Sequence, residues 1–276
     1  MKQPAAILIS ALCSLWLTAP LAAGMPDPVP LSTAAEPLQL TWCLDHFPYF
    51  HEYDNSATPT GPSVELMQEL AHRAGFILNF TPRTPLARCL KLMEQGKVDL
   101  MSNLKFSEQR DQFMYMLPYR TNVAESLFMR VNDQRLIDSN TQLRGLTLAT
   151  LRHYLYNPAT MTLIAEQSRH IAEVDSIEVA LEMLLRNRVD GVVAPTVSTA
   201  KAINAISSYQ QRFKIAPLDF SANTPNNIHL ALARNSRHAA LEPLLRQHLQ
   251  AMIADGTIAR LIRPSENRPE VNQLKQ

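Results

Sequence analysis

The chain has 276 residues, 46% of them apolar, and a formal net charge of +1 at pH 7. This length suits one large domain or two lobes of ordinary size, each with a hydrophobic core of its own. The near-neutral charge gives no indication of a nucleic acid or an anionic membrane surface as a partner.

The N-terminus has the pattern of a secretory signal peptide. Lys2 precedes an apolar run, which Pro20 ends and which small residues follow. The run is shorter than the roughly 20 apolar residues that a membrane-spanning helix needs. We therefore predict a cleaved signal peptide over 1–24, a flexible proline-rich leader over 25–37 and a periplasmic location for the mature chain.

Predicted strands and helices alternate in the first part of the mature chain. Apolar periodicity predicts helices over 62–75 and 85–96, each ended by a glycine. Strands are predicted over 38–44, 76–82 and 97–101. This alternation favours a parallel sheet with helices on its faces.

Two basic residues follow the third of these strands. Ser107 can cap a short helix that carries Arg110, and Lys105 precedes that helix. Groups just beyond the carboxyl end of a strand lie where open α/β sheets bind small ligands. Lys105 and Arg110 are therefore the first candidates for a binding site.

The second part of the chain repeats this organisation. After a strand over 123–131, strands are predicted over 146–150, 170–174, 189–194 and 213–218, with helices over 155–168, 176–188 and 198–211 between them. A strand over 226–234 and a helix over 237–256 come last. Two α/β units of like construction imply two lobes with a cleft between them.

The order of these elements and several local patterns resemble the periplasmic solute-binding proteins of family 3, the two-lobed binders that feed amino-acid-type ABC transporters. The resemblance covers roughly residues 38–264. It is carried by DHFPYF after the first strand, GPSVELMQELAHRAG, LKLMEQGKVDLM, SEQR and, near the end, LQAMIADGTIARLI.

This resemblance implies a type II periplasmic-binding-protein-like α/β fold, in which each lobe is a mainly parallel sheet flanked by helices. Two hinge crossings, near 121–130 and 220–230, would join the lobes. The implied boundaries are 38–121 and 227–264 for lobe 1, 122–226 for lobe 2, and 265–276 for a disordered tail.

The resemblance also implies a role for Arg110. In amino-acid binders of the family, the Arg of the Ser-Glu-x-Arg motif clamps the α-carboxylate of the ligand, and Arg110 stands at that position. An Arg fork matches a carboxylate bidentately, which a Lys does not. The alternative is an Arg paired with Glu108 or Asp111 on a solvated helix.

The chain departs from the family pattern on both sides of the expected cleft. Asn103 and Lys105 stand where small hydroxyl residues are usual, and both are candidate ligand contacts. In lobe 2, Pro195 stands where amino-acid binders place the Asp that holds the ligand's ammonium, so an α-amino acid would leave its ammonium poorly paired. His153 and Tyr154, which replace the usual Gly region, are candidate cleft residues, with ordinary helix-start packing as the alternative.

The segment after the first strand supplies the remaining candidates. His46 and Tyr49 are predicted to form part of an aromatic wall, with a core position as the alternative for Tyr49. Cys43 and Cys89 lie on elements that are neighbours in the family's sheet order. Both a disulfide, which an oxidising compartment favours, and a pair of buried thiols stay open.

These features predict an exported protein that captures a small anionic or polar solute, such as an amino-acid-like compound or an organic acid, for transport or sensing. Its expected partners are the solute and an ABC permease or a membrane sensor, and we expect a monomer. No cofactor or metal is expected, because the histidines lack ligand spacing and no Cys-x-x-Cys occurs. The alternative is a periplasmic enzyme on the same scaffold, such as a cyclohexadienyl dehydratase-like lyase, with Glu52, Asp45 or Glu125 as general acid.

Overall fold

The structure, a computed structural model, describes residues 36–53, 58–121, 124–220, 227–262 and 268–275. The predicted signal peptide, nearly all of the predicted leader and parts of both predicted crossings lie outside these residues. Within the described ranges, none of the helices combines the length and the apolar character required to cross a membrane.

In the part of the chain that the structure describes, ten strands make up two sheets. In chain order they are β1 (Gln39–Trp42), β2 (Ile77–Phe80), β3 (Leu100–Lys105), β4 (Met114–Thr121), β5 (Glu125–Arg130), β6 (Thr147–Leu151), β7 (His170–Val174), β8 (Gly191–Pro195), β9 (Phe213–Ile215) and β10 (Asn227–Ala233). The first sheet has the order β2-β1-β3-β10-β4 and the second the order β7-β6-β8-β5-β9.

Both sheets have the same construction. In the first, β1 pairs in parallel with β2 and β3, and β10 lies antiparallel between β3 and β4. In the second, β6 pairs in parallel with β7 and β8, and β5 lies antiparallel between β8 and β9. The predicted two-lobed fold is confirmed. Each sheet is mixed, because the strand that follows a crossing between the sheets, β5 or β10, runs against the other four.

Nine α-helices flank these sheets in the described ranges. They are α1 (Pro62–Ala74), α2 (Leu86–Glu94), α3 (Glu108–Asp111), α4 (Pro158–Gln167), α5 (Ile177–Leu185), α6 (Thr196–Ala205), α7 (Glu242–Ala254), α8 (Thr257–Leu261) and α9 (Pro269–Leu274), with 3-10 turns at Asn140–Leu143, Ser207–Tyr209 and Ala239–Leu241. Helices α1, α7 and α8 pack on the first sheet, and α5, α6 and α9 on the second. We call these two units lobe 1 and lobe 2.

The loop between β1 and α1 is held close to the start of the helix. Gly61 has φ +114°, and a side chain there would bring its Cβ within 2.8 Å of the Phe50 carbonyl oxygen. The N–H of Ser63 donates to that same carbonyl. Only glycine permits this close approach, which fixes the aromatic segment over the end of β1.

Two strand predictions need correction. Strand β3 runs from Leu100 to Lys105, so Lys105 ends the strand instead of following it. Met114–Thr121 form β4, which the sequence did not predict because Pro118 interrupts the apolar run. Proline is tolerated in β4 because this strand is at the edge of its sheet.

The prediction of a disordered tail over 265–276 is wrong for Pro269–Leu274, which form α9. This helix buries Val271 and Leu274 in the hydrophobic core of the second sheet. Two apolar residues at i and i+3 lie on one helix face, and here that face packs on lobe 2. Helix α9 therefore belongs to lobe 2.

Candidate ligand-binding cavity

A cavity of about 360 Å³ lies between the carboxyl ends of the strands of the two sheets. Lobe 1 contributes residues that follow β1 and β2 and residues of β3, and lobe 2 contributes residues that follow β6 and β7. Cavities of this size hold small molecules, and the carboxyl edge is where open α/β sheets bind them.

The wall of the cavity is mainly apolar, and two of its residues carry a buried polar atom that lacks a partner among the described residues. Trp42, Phe47, Leu104 and Ile177 form part of this wall. The Trp42 Nε1 and Tyr154 Oη atoms are buried and have no hydrogen-bond partner among the described residues. Burial raises the pKa of Tyr154 well above its usual range, so its hydroxyl keeps its proton. Trp42 and Tyr154 thus line the cavity, while their indole N–H and phenol O–H are enclosed by the protein with almost no accessible surface.

The two arginines of the wall pair with carboxylates of their own lobes. Arg83 pairs with Asp45 at 3.2 Å in lobe 1, and Arg152 pairs with Asp175 at 2.8 Å in lobe 2. Both pairs are partly exposed to water. The long basic side chains therefore give the cavity little net positive charge.

The Cys43–Cys89 disulfide is present and lies in the cavity wall. The two Cα atoms are 5.6 Å apart, within the usual range for a disulfide. It ties the end of β1 to α2, and of the two possibilities that the sequence left open, the structure contains the bonded one.

The two histidines of the aromatic segment are held by the backbone. His51 donates its Nδ1–H to the Asp45 carbonyl at 2.8 Å, and burial lowers the pKa of His51 to about 4. His46 lines the cavity and accepts the Tyr53 N–H at its Nδ1. At neutral pH the His51 imidazole is therefore uncharged.

Lys105 forms a buried ion pair between the lobes. Its Nζ donates to Glu125 Oε1 at 2.5 Å and to Asn157 Oδ1 at 3.3 Å, and lies 5.0 Å from the centre of the Tyr154 ring. The Asn157 N–H donates to both Glu125 oxygens. Burial lowers the pKa of Lys105, and the charge of Glu125 opposes that shift.

Arg110 forms a second contact between the lobes, beside the cavity. Its Nη1 donates to the Lys105 carbonyl and its Nη2 to the His153 carbonyl, both at 3.0 Å. Only 6% of the residue is exposed, and burial lowers the pKa of Arg110 to about 10, so it stays charged at pH 7. The alternative of a solvated helix pair is wrong, because Arg110 is buried and Asp111 pairs with Arg234 instead.

Asn103 lies in the cavity wall with its side chain fully engaged. It has φ +58°, and its Nδ2 donates to Ser63 Oγ. Its Oδ1 accepts from the Tyr119 hydroxyl and from Arg120. This network fixes the backbone of β3 beside the cavity.

The predicted contact residues divide into three groups. His46, Asn103 and Tyr154 line the cavity, whereas Lys105, Arg110 and the carbonyl of His153 form the inter-lobe contacts next to it. Tyr49 lies apart, with its ring against the Arg268 guanidinium.

Sequence reasoning missed three residues. Trp42 was taken only as part of a buried strand, and Asn157 received no role. Glu125 was considered only as a general acid, although an acidic residue inside the apolar segment VAESLFMRV signals a buried partner. In the β5–β8 ladder Glu125 lies directly opposite Pro195. Among the described side chains, no cluster of three His, Cys, Asp or Glu is arranged to hold a metal ion.

Comparison with known proteins gives one family. The pattern of the bacterial extracellular solute-binding proteins, family 3, matches residues 40–264. No curated protein sequence matches significantly.

Several solved structures share the fold. An amino acid ABC transporter substrate-binding protein from Streptococcus pneumoniae, bound to L-arginine, is 18% identical with a TM-score of 0.68, over 86% of this chain and 97% of that one. A periplasmic binding protein of an arginine transport system from Legionella pneumophila is 18% identical with a TM-score of 0.68, over 81% and 97%. A histidine kinase sensor domain is 17% identical with a TM-score of 0.66, over 82% and 94%. At these identities the likeness establishes the fold.

Proposed function

The chain belongs to family 3 of the bacterial extracellular solute-binding proteins, and from this premise we propose that it captures a small organic acid with an apolar body in the cavity between its lobes. The observation that carries this proposal is the composition of the cavity wall. Apolar side chains surround the unpartnered Trp42 Nε1 and Tyr154 Oη.

The chemistry of these two atoms selects the class of solute. An indole N–H is a donor only, and a phenol can donate, so both require an acceptor such as a carboxylate or carbonyl oxygen. A buried donor left without an acceptor costs about 1–3 kcal/mol. A solute that supplies such oxygens removes this cost once the two side chains turn their donors into the cavity, while its apolar body gains from contact with the apolar wall.

We place this receptor in the periplasm, after cleavage of the predicted signal peptide, with an ABC permease as its membrane partner. The shared fold of an amino acid ABC transporter substrate-binding protein supports this choice. The histidine kinase sensor domain of the same fold favours delivery to a membrane sensor as the second candidate. Loss of labelled solute uptake in a deletion strain would support transport, and unchanged uptake with a lost transcriptional response would support sensing.

A binding role without catalysis fits the carboxylates best. Asp45 pairs with Arg83, Glu52 accepts the Tyr49 N–H, and Glu125 pairs with Lys105. Each of these three has a fixed partner, so none of the three combines a free carboxyl with a place in the cavity wall. Prephenate and arogenate should remain unconverted after prolonged incubation, which product absorbance would check.

The sequence provides an internal probe for testing the proposal. The chain has two tryptophans, and because Trp16 lies in the predicted signal peptide, Trp42 is the one that remains after cleavage. A thermal-shift screen of organic acids, amino acids and short peptides should find a solute that raises the melting temperature and changes Trp42 fluorescence. Tyr154→Phe should weaken binding of that solute by about 0.5–1.5 kcal/mol.

A matched substitution controls for loss of any tyrosine hydroxyl. Tyr115 is on β4, outside the cavity wall, so Tyr115→Phe should leave the affinity unchanged. The proposal is wrong if no organic acid shifts the melting temperature and a crystal structure without solute shows the cavity filled by side chains.

A further inference from the structure

We infer that Lys105 acts as a tethered ammonium that fills a cation-binding subsite on lobe 2 and so excludes solutes that place an ammonium there. The subsite consists of Glu125, Tyr154 and Asn157. It is defined by these described residues alone, whereas its consequence for solute choice rests on the proposed function.

The subsite presents three groups that favour a cation. Around the Lys105 Nζ stand a carboxylate at 2.5 Å, an amide oxygen at 3.3 Å and an aromatic ring with its centre at 5.0 Å. All three belong to lobe 2, and the ammonium comes from lobe 1. Carboxylates, amide oxygens and aromatic faces each attract ammonium groups.

Glu125 strongly favours a cation in this subsite. Its side chain is fully buried, and Lys105, with 8% of its side chain exposed, is its salt-bridge partner among the described residues. A buried carboxylate without a positive partner is strongly destabilising. Removing the Lys105 ammonium therefore creates a demand that a free ammonium ion can meet.

The subsite lies directly beside the cavity. Tyr154 belongs to both, and Leu104, which precedes Lys105, is in the cavity wall. A solute held by Trp42 and Tyr154 is thus adjacent to an ammonium position that the protein already occupies. This arrangement favours carboxylates that lack an amino group over the corresponding amino acids.

Truncation of Lys105 followed by chemical rescue tests the subsite without a natural solute. Propylammonium chloride should raise the melting temperature of Lys105→Ala in a saturable way. The apparent dissociation constant of propylammonium should be at least tenfold lower for this variant than for the wild type. Sodium chloride at equal ionic strength and 1-propanol should not reproduce this effect. Lys91→Ala, which removes an exposed lysine from α2, should behave as the wild type does.

A second substitution ties the rescue to the proposed carboxylate. Lys105→Ala combined with Glu125→Ala removes the acceptor and should abolish the response to propylammonium. If Lys105→Ala is recovered unfolded, the readout becomes its refolding yield in propylammonium instead of its melting temperature. Near-ultraviolet circular dichroism measures that yield. An equal response of Lys105→Ala and the double variant, or refolding that propylammonium does not improve, overturns the inference.

Matched pairs of solutes then test the consequence for specificity. Among pairs such as leucine and 4-methylpentanoate, or phenylalanine and 3-phenylpropanoate, the wild type should prefer the acid without the amine. Lys105→Ala should move that preference at least tenfold toward the amine. If propylammonium rescues Lys105→Ala but the wild type binds none of the acids, the proposed function is wrong and the subsite stands. If the wild type binds an acid but propylammonium does not rescue Lys105→Ala, the subsite is wrong and the proposed function stands.

Discussion

Arg110 shows how one buried guanidinium can serve two purposes. It donates to the carbonyls of Lys105 and His153, one in each lobe, with one hydrogen bond from each terminal nitrogen. A guanidinium has five N–H donors, so these two bonds leave others for a solute carboxylate. The predicted carboxylate clamp is therefore compatible with the inter-lobe contact, and a substitution can separate the two roles.

Arg110→Ala should lower the free energy of unfolding without solute by about 1–3 kcal/mol, because buried carbonyl oxygens lose their donor. If Arg110 also clamps the solute, binding should weaken by about 2–5 kcal/mol, and Arg110→Lys should lose much of the same affinity. Urea titration and calorimetry measure the two quantities. Arg186→Ala, which removes an exposed helix pair with Glu182, is the control and should change stability by about 0.5 kcal/mol at most. An unchanged affinity in Arg110→Ala would leave Arg110 with the inter-lobe contact alone.

His51 should make the stability of the protein depend on pH. Burial lowers its native pKa to about 4 from the ordinary 6.5, so below pH 6.5 the unfolded chain binds a proton that the native state does not. The free energy of unfolding should therefore fall between pH 6.5 and pH 4, by about 3 kcal/mol from this residue, and level off below.

His51→Asn isolates this contribution, because an Asn amide can still donate to the Asp45 carbonyl in place of the Nδ1–H. The variant should lose stability less steeply than the wild type in urea titrations between pH 6.5 and pH 4. His72→Asn changes an exposed histidine on α1 and should keep the wild-type slope. Parallel curves for the wild type and His51→Asn would show that His51 is not held neutral.

At the scale of elements, α9 fastens the end of the chain to lobe 2. Val271→Asp places a charge in the core beside α6 and should cost at least the burial of one apolar side chain, about 1.5–3 kcal/mol. Asn272→Asp introduces the same carboxylate one residue later on the exposed face and should be nearly neutral. Thermal unfolding compares the two, and equal melting temperatures would mean that α9 does not dock in solution.

Local patterns predicted the elements whose stability comes from their own apolar periodicity. Helix α1 and strand β7 lie within a residue of their predicted bounds, because the apolar residues of each segment recur at helical or strand spacing. Strand β4 and helix α9 were missed, because each depends on a neighbour that is distant in sequence, β10 for one and the core of lobe 2 for the other.

The same distinction applies to the candidate site. The rule about carboxyl ends selected Lys105 and Arg110, which lie beside the cavity, whereas comparison with the family pattern selected His46 and Tyr154 in the loops after β1 and β6. The pairing of Lys105 with Glu125 depends on how closely two lobes approach, and no local pattern in the sequence encodes that distance.

At the scale of the whole molecule, the described residues join the lobes at three separate places. Lys105 pairs with Glu125, Arg110 bonds to His153, and Arg268, which precedes α9, lies 3.7 Å from the centre of the Tyr49 ring. The first two surround one side of the cavity. The third comes from the C-terminal segment. Together they hold the lobes against each other without any contribution from a solute.

This arrangement predicts that the wild type is already closed before it binds. A compact chain of about 250 residues has a radius of gyration of about 18 Å. Small-angle scattering of the wild type should give a value close to this, and addition of a bound solute should change it little. Hinge closure on binding would instead produce a clear decrease.

Glu125→Ala should convert the molecule into one that opens. Without its carboxylate partner, the Lys105 ammonium is costly to bury, and separation of the lobes returns it to water. The radius of gyration of Glu125→Ala should therefore exceed that of the wild type, and a bound solute should reduce the difference. Asp175→Ala is the control, because it removes an exposed carboxylate at the same cavity whose ion pair lies within lobe 2. The radius of gyration of this variant should equal that of the wild type. If the two variants scatter alike, the buried pair does not hold the lobes together, and closure depends on the remaining contacts.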